Sequence, residues 1–277
     1  MTLRTALAQG IELLERGGIH APRLTAEVLL GHAVHCDRTY FYAHPEQELR
    51  EIEWIHYGRY LDERLKGKPT QYITKRQEFY GREFKVSRDV LIPRPETELL
   101  VETVLKLEPG PGIIADVGTG SGAIGVTLSL ELKRAVIATD LSFEACAVAR
   151  GNAIELGADV QLIQGDLLKP FADASVDIIV SNPPYVPFND REGLQREVRD
   201  WEPSLALYGG PTGTAIYKRL VPEARRVLKP GGTLVFEFGF GQADAVSALA
   251  AGWSNPQILS DLAGLPRVLV CQKPEVE

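Results

Sequence analysis

From residue 113 onward the chain alternates between two textures: short apolar runs and stretches with helical spacing. The runs are Ile113–Val117, Ala135–Thr139, Val160–Gln164, Asp177–Ser181, Thr233–Phe238 and Val268–Cys271. Strands that alternate with helices imply βαβ units, and hence an α/β fold built on a mostly parallel sheet. A helix from Glu96 to Leu107 and a Gly110-Pro111-Gly112 loop precede the first run. Lys229-Pro230-Gly231-Gly232 reads as a turn that stops a helix and feeds a strand.

The N-terminal part is different. Thr2 is placed to cap a helix whose apolar face carries Leu3, Leu7, Ile11 and Leu14, and Gly17-Gly18 ends it. Pro22 suits the first turn of a second helix through Leu29 and Leu30. Pro45 is expected to open a third helix towards Leu65, which Gly67 and Pro69 break. Gln71 to Val90 alternates apolar and polar residues, as a short hairpin or extended connector does. A chain of 277 residues has room for two domains. The expected division is a helical domain with connector hairpin over 1–85 and a second domain over 86–277.

Bulk properties exclude several classes. The formal charge of −7 gives no overall basic surface for gripping nucleic acid. A local excess of Arg and Lys between Arg59 and Lys85 reads as a solvated face. No apolar run approaches the ~20 residues that span a bilayer. Met1 to Gly10 lacks the pattern of a secretory signal, so the expected location is the cytoplasm. Cys36, Cys146 and Cys271 are too scattered for a zinc ribbon or disulfide framework. All histidines lie between His20 and His56. His32, His35 and Cys36 share helical spacing but have no evident fourth ligand, so no metal site is expected. Any chemistry in the second domain must therefore proceed without an imidazole base.

The first apolar run leads at once into Gly118-Thr119-Gly120-Ser121-Gly122, and Ala123 opens a helix. Glycine suits this tight strand-to-helix turn, and the lack of Cβ lets a ligand approach the backbone. Asp140 follows at the end of the next strand, where a carboxylate can accept both hydroxyls of a ribose. Together they indicate an adenosine-containing cofactor, and a nicotinamide dinucleotide fits this pattern too. Asp166, after the third strand, suits either the adenine amino group or a helix N-cap.

Asn182-Pro183-Pro184-Tyr185 decides the chemistry. It ends the fourth strand, where open α/β sheets bind ligands. An amide or aromatic NH2 group is weakly nucleophilic because its lone pair is delocalised. The Asn182 side-chain oxygen and the Pro183 carbonyl can each accept one of its N–H bonds and aim the lone pair. The two prolines stiffen the loop, and Tyr185 offers a flat face to a planar group. Such catalysis works by orientation and dipole placement.

These motifs resemble those of the Rossmann-like, seven-stranded S-adenosylmethionine methyltransferases that act on planar NH2 groups. Further segments resemble the peptide chain release factor glutamine methyltransferases over essentially the whole chain. They are Gln71-Tyr72-Ile73, Glu78-Phe79-Tyr80-Gly81, Ile92-Pro93-Arg94-Pro95-Glu96-Thr97-Glu98, Glu202-Pro203, Gly209-Gly210 with Gly213, and Asp261-Leu262-Ala263-Gly264 with Arg267. The resemblance implies N5-methylation of the glutamine in the Gly-Gly-Gln motif of class 1 release factors, with S-adenosyl-L-methionine as cofactor. It includes a small helical N-terminal domain, which is expected to recognise the body of the release factor because a single glutamine side chain cannot supply protein-level specificity; a monomer needing neither nucleic acid nor membrane is expected. It assigns Gly118, Thr119, Gly120, Ser121 and Gly122 to the methionine part of the cofactor, Asp140 to the ribose, and Asp166 and Leu167 to the adenine. Asn182, Pro183, Pro184 and Tyr185 would hold the glutamine amide, with Asn182 also near the cofactor. Arg94 and Thr97 would lie at the substrate entrance. Lys75, Leu167 and the Phe238–Gln242 stretch depart from the family pattern. A ribosomal protein glutamine methyltransferase is the nearest alternative, then a nucleic acid amino-methyltransferase, which would need to flip its base.

Overall fold

The computed structural model describes residues 1–107 and 110–275. The chain forms two compact units, residues 1–76 with 195–201 and residues 77–194 with 202–277.

The first unit is helical: α1 (Leu3–Arg16), α2 (Pro22–Val34), α3 (Arg38–Ala43), α4 (Glu51–Leu65), α5 (Thr70–Thr74) and, much later in the chain, α9 (Arg196–Trp201). The Thr2 hydroxyl accepts the Thr5 amide and starts α1, which buries Leu3, Ala6, Gly10 and Leu14. These pack with Leu29, Leu30, Tyr57 and Leu61. Pro45 does not open the third long helix. Asp37 caps the short α3 instead. The Glu53 carboxylate accepts the Arg50 backbone N–H at 2.8 Å, which fixes the start of α4 at Glu51. Much of the basic run on α4 is matched by acid: Lys66 pairs with Asp62, Lys68 with Glu63, and the buried Arg64 with Glu197 of α9.

The second unit begins with a hairpin of β1 (Arg76–Phe79) and β2 (Arg82–Lys85). Phe79 and Phe84 are buried in one cluster with Leu100, Val101 and Val104 of α6 (Glu98–Lys106). The hairpin's apolar face therefore draws it into the core of the second unit. The division falls at residue 76 and not at 85.

The main sheet contains β3 (Ile114–Val117), β4 (Val136–Asp140), β5 (Val160–Gln164), β6 (Val176–Ser181), β7 (Leu228–Glu237), β8 (Ser254–Ser260) and β9 (Pro266–Gln272). Their spatial order is β5-β4-β3-β6-β7-β9-β8. The first five pair in parallel, and β9 runs antiparallel to both β7 and β8. Helices α7 (Ala123–Leu132), α8 (Phe143–Leu156), α10 (Ser204–Leu207), α11 (Ala215–Val227) and α12 (Ala243–Leu249) complete the unit. The period-2 alternation of β7 builds a core on each face. Leu234 and Phe236 join Tyr217, Leu220 and Val246 of α11 and α12, whereas Val235 joins α6 and α7 residues. Strand order reverses between β3 and β6, so a crevice opens at their carboxyl ends.

Asn152 of α8 ties this crevice to the hairpin. It is 1% exposed. Its Oδ1 accepts the Lys85 amide, and its Nδ2 donates to the carbonyls of Lys85 and Ser121. Asn152→Ala is expected to destabilise the fold by about 2–4 kcal/mol, since it leaves buried backbone groups unpaired. Denaturant unfolding checks this, and an unchanged midpoint contradicts it.

Candidate active site

The register of β3 against β6 sets the site. Val117 lies opposite Ser181, so the Gly118 turn and the Asn182 loop leave the sheet at the same level. The Ser181 hydroxyl donates to the Val117 carbonyl at 2.7 Å and locks the two strand ends together. A cavity of about 350 Å³ opens in front of them. That is the size range of small-molecule sites.

The glycine turn lies against the end of β4. The amides of Gly118 and Thr119 donate to the Thr139 carbonyl, and the Gly120 amide donates to the Asp140 carboxylate. Gly118 and Gly120 have φ of 73° and 55°, the left-handed region that favours glycine. A Cβ on either would meet no protein atom within 4 Å, so the space before them is left to a ligand. Gly118, Thr119, Gly120 and Ser121 line the cavity. Gly122 does not belong to that lining. It precedes α7 and lies against Ala149, where an added Cβ would come within 3.2 Å.

Asp116 on β3 holds the turn from beneath. It is fully buried and accepts the Thr119 hydroxyl at 2.6 Å and the Gly125 amide at 2.9 Å. Burial pushes its carboxyl up to about 6. The only sequence signal for it is an acid inside an apolar run. Asp140 lines the cavity, and its two oxygens accept the amides of Gly120 and Ser142. Burial raises its pKa against those hydrogen bonds. Each oxygen retains a lone pair, which suits a vicinal diol.

Asp166 and Leu167 also line the cavity. The Asp166 carboxylate is held by Arg219 at 2.7 Å and Lys169 at 2.6 Å, and these partners, Arg219 first, keep it below the usual carboxylate range. Arg219 itself faces the cavity and has no counterpart in the sequence reading.

Across the cavity lies the segment before α6. Arg94 and Thr97 line it. Arg94 pairs with Glu202, which also accepts the Ile92 amide at 3.2 Å. Glu202 is 5% exposed and anchors this segment from a distant part of the chain.

Asn182 and Pro184 line the cavity, whereas Pro183 and Tyr185 are absent from the lining. The Tyr185 ring packs on the core and its hydroxyl donates to Glu237 at 3.3 Å. Burial raises its pKa. The Tyr185 carbonyl accepts the Gln242 side-chain amide. The Pro184 carbonyl lies against Gly209, where a Cβ would come within 2.6 Å of it. The loop is thus fixed on its outgoing side. Among the described residues, no hydrogen bond reaches the Pro183 carbonyl or Asn182 Oδ1, while Asn182 Nδ2 donates to the Thr97 hydroxyl at 3.0 Å. Asn182 Oδ1 is therefore left as an acceptor on a residue that lines the cavity, whereas the Pro183 carbonyl, also without a partner, belongs to a buried residue outside that lining.

The PrmC N-terminal domain model matches residues 5–74, and the methyltransferase small domain model matches residues 95–197. A release factor glutamine methyltransferase from Koribacter versatilis is 45% identical over 278 residues, covering 99% of each chain. The chain belongs to the release factor glutamine methyltransferase family. A second member, from Moorella thermoacetica, is 45% identical over 99% of this chain and 100% of its own. The crystal structure of a methyltransferase from Pyrococcus furiosus shares the fold, with a TM-score of 0.54 at 20% identity over 74% of this chain and 94% of that one. Members of a methyltransferase family of this fold use S-adenosylmethionine, and the open cradle at Gly118–Ser121 with the Asp140 carboxylate fits it. Asp140→Ala is expected to weaken S-adenosylmethionine binding about 10- to 100-fold, as loss of a pair of ribose hydrogen bonds does. Unchanged affinity in calorimetry contradicts that placement.

Proposed function

We propose that this chain methylates the side-chain amide nitrogen of the glutamine in the Gly-Gly-Gln motif of class 1 release factors, giving N5-methylglutamine. The observation that carries the reading is Asn182: its amide nitrogen is engaged inward and its oxygen is left for the cavity. S-adenosylmethionine, when bound, supplies an electrophilic methyl group. Gly118, Thr119, Gly120 and Ser121 hold its methionine part in this reading, Asp140 the ribose, and Asp166 and Leu167 the adenine. Asn182 Oδ1 and the Pro183 carbonyl each accept one N–H of the substrate amide. This immobilises the amide and turns its nitrogen lone pair towards the methyl group.

No strong base is needed before attack, because the cationic product is acidic and loses its proton to water. Consistent with this, all five histidines precede residue 57 and lie in the helical unit. Tyr185 stiffens the loop through Glu237 in this reading, with its ring against the core. A translation factor as substrate places the reaction in the cytoplasm, with the enzyme acting as a monomer. No helix among the described residues is long and apolar enough to cross a membrane. The helical unit serves to recognise the body of the factor, because one glutamine side chain cannot supply protein-level specificity.

The test is transfer of labelled methyl groups to a release factor, the same factor with its glutamine replaced, a ribosomal protein and DNA in parallel. Label is expected on the intact factor alone, and label on DNA or the ribosomal protein instead would overturn the reading. Asn182→Ala is expected to abolish transfer while cofactor affinity stays within about tenfold. Near-normal turnover in that variant contradicts the clamp. For substrate recognition, kcat/KM on the whole factor is expected to exceed that on a Gly-Gly-Gln peptide by at least about tenfold. Equal values would remove the recognition role.

A further inference from the structure

An asparagine side chain has two nearly isosteric ends, so packing alone does not choose which end faces a ligand. For the clamp the choice is decisive. Oδ1 in the cavity accepts an N–H from the substrate amide. A flipped side chain sets donor against donor.

The structure makes this choice through a chain of buried groups. Glu237 ends β7 and is 2% exposed. Its Oε2 accepts the Thr97 hydroxyl at 2.8 Å, and its Oε1 accepts the Tyr185 hydroxyl at 3.3 Å. A carboxylate only accepts, so the single proton of the Thr97 hydroxyl is committed to Glu237. The Thr97 oxygen can then only accept from Asn182, and it meets Nδ2 at 3.0 Å. With Nδ2 held there, Oδ1 turns the other way. Thr97 is 4% exposed, so bulk water does not substitute for it freely.

We infer that Thr97 and Glu237 are positioning residues: Glu237 polarises the Thr97 hydroxyl, and Thr97 locks the Asn182 amide with its oxygen towards the substrate. The inference rests on the clamp reading above. It revises the role of Thr97, from contact at the substrate entrance to an orienting contact on Asn182.

The polarity of this chain depends on the Glu237 proton. A protonated Glu237 donates to Thr97, the Thr97 proton is released towards Asn182, and the amide is then free to flip. Burial pushes the Glu237 carboxyl up to about 7. The hydroxyls of Thr97 and Tyr185 and the guanidinium of Arg267 oppose that rise, and the Glu96 carboxylate adds to it. Arg267 is itself held by Asp261 at 3.0 Å, and the Tyr217 hydroxyl also senses Glu237. Activity through this group is therefore lost as pH falls through about 7, and gained as it rises.

The experiment measures single-turnover methyl transfer to the release factor, cofactor affinity and the pH profile for wild type, Thr97→Val, Thr97→Ser, Glu237→Gln and Asn182→Ala. Thr97→Val is expected to lower the transfer rate about 10- to 100-fold, the equivalent of one lost buried hydrogen bond, with cofactor affinity within about twofold. Thr97→Ser, which keeps the hydroxyl, is expected to restore most of the rate. The wild-type rate should fall on the acid side of about 7, and Glu237→Gln should be slow and lack that limb. A normal rate in Thr97→Val overturns the inference. So does a Thr97→Ser variant as slow as Thr97→Val, or cofactor affinity lost in step with rate. An unchanged acid limb in Glu237→Gln removes Glu237 from it. An active Asn182→Ala removes the clamp itself. An inactive Asn182→Ala beside a normal Thr97→Val leaves the clamp standing and removes only the lock.

Discussion

Everything at the site follows from the parallel pairing of β3 with β6. Two strands distant in sequence are brought side by side with Val117 opposite Ser181, and a side-chain hydrogen bond between their ends fixes the match. A slip of one residue would turn each strand's side chains to the opposite face of the sheet. It would also offset the glycine turn from the Asn182 loop by roughly 3.3 Å along the strand. In the proposed reaction methyl transfer needs near-contact geometry, and that offset would separate cofactor from substrate. Both core faces enforce the register, because each strand contributes alternate residues to opposite clusters.

The second theme is that the groups assigned the chemistry in the proposed reaction are neutral amides and carbonyls, while the ionisable groups lie beneath or behind them. Asp116 shapes the glycine turn from below, Glu202 anchors the Arg94 segment, and Glu237 lies behind Asn182. Each is a buried acid that accepts from hydroxyl, amide or guanidinium donors, although Asp116 does so through Oδ2 alone. Such arrangements cost solvation energy, and their return is geometric: a carboxylate dictates the direction of every donor around it.

How much of this was legible beforehand depended on whether the signal was local. The apolar runs located the parallel strands to within a few residues, and Val160–Gln164 emerged with those limits. The strand Ser254–Ser260 was missed because it contains Pro256 and is largely exposed, so it lacks an apolar period. The stretch Gln71–Val90, expected as a short hairpin or extended connector, contains the β1–β2 hairpin after the end of α5, but its allegiance was not legible: which core Phe79 and Phe84 enter is a tertiary matter. Spacing brought Gly118–Ser121, Asp140, Asn182 and Pro184 to one cavity, whereas Gly122, Pro183 and Tyr185 fall outside its lining. Glu237 and Asn152 gave no such signal. A glutamate at the end of a strand and an asparagine within a helix have no meaning until Thr97, Lys85 and Ser121 arrive from elsewhere. The side-chain direction of Tyr185 was likewise set by packing that no local pattern encodes.

The helical unit is not a simple N-terminal block, because α9 belongs to it. Glu197 neutralises the buried Arg64, Arg196 lies against Gly67, and Lys68 sits 6.0 Å from the Trp201 ring. During synthesis, a nascent chain ending at residue 76 still lacks these partners, and its Arg64 guanidinium has the Lys68 carbonyl but no carboxylate from α9. Completion of the first-made unit thus waits on emergence of residues 195–201, by which time β3 to β6 have already left the ribosome. Maturation of the two units is coupled in time by connectivity, and a rearranged chain with residues 195–201 moved to follow α5 directly would uncouple it.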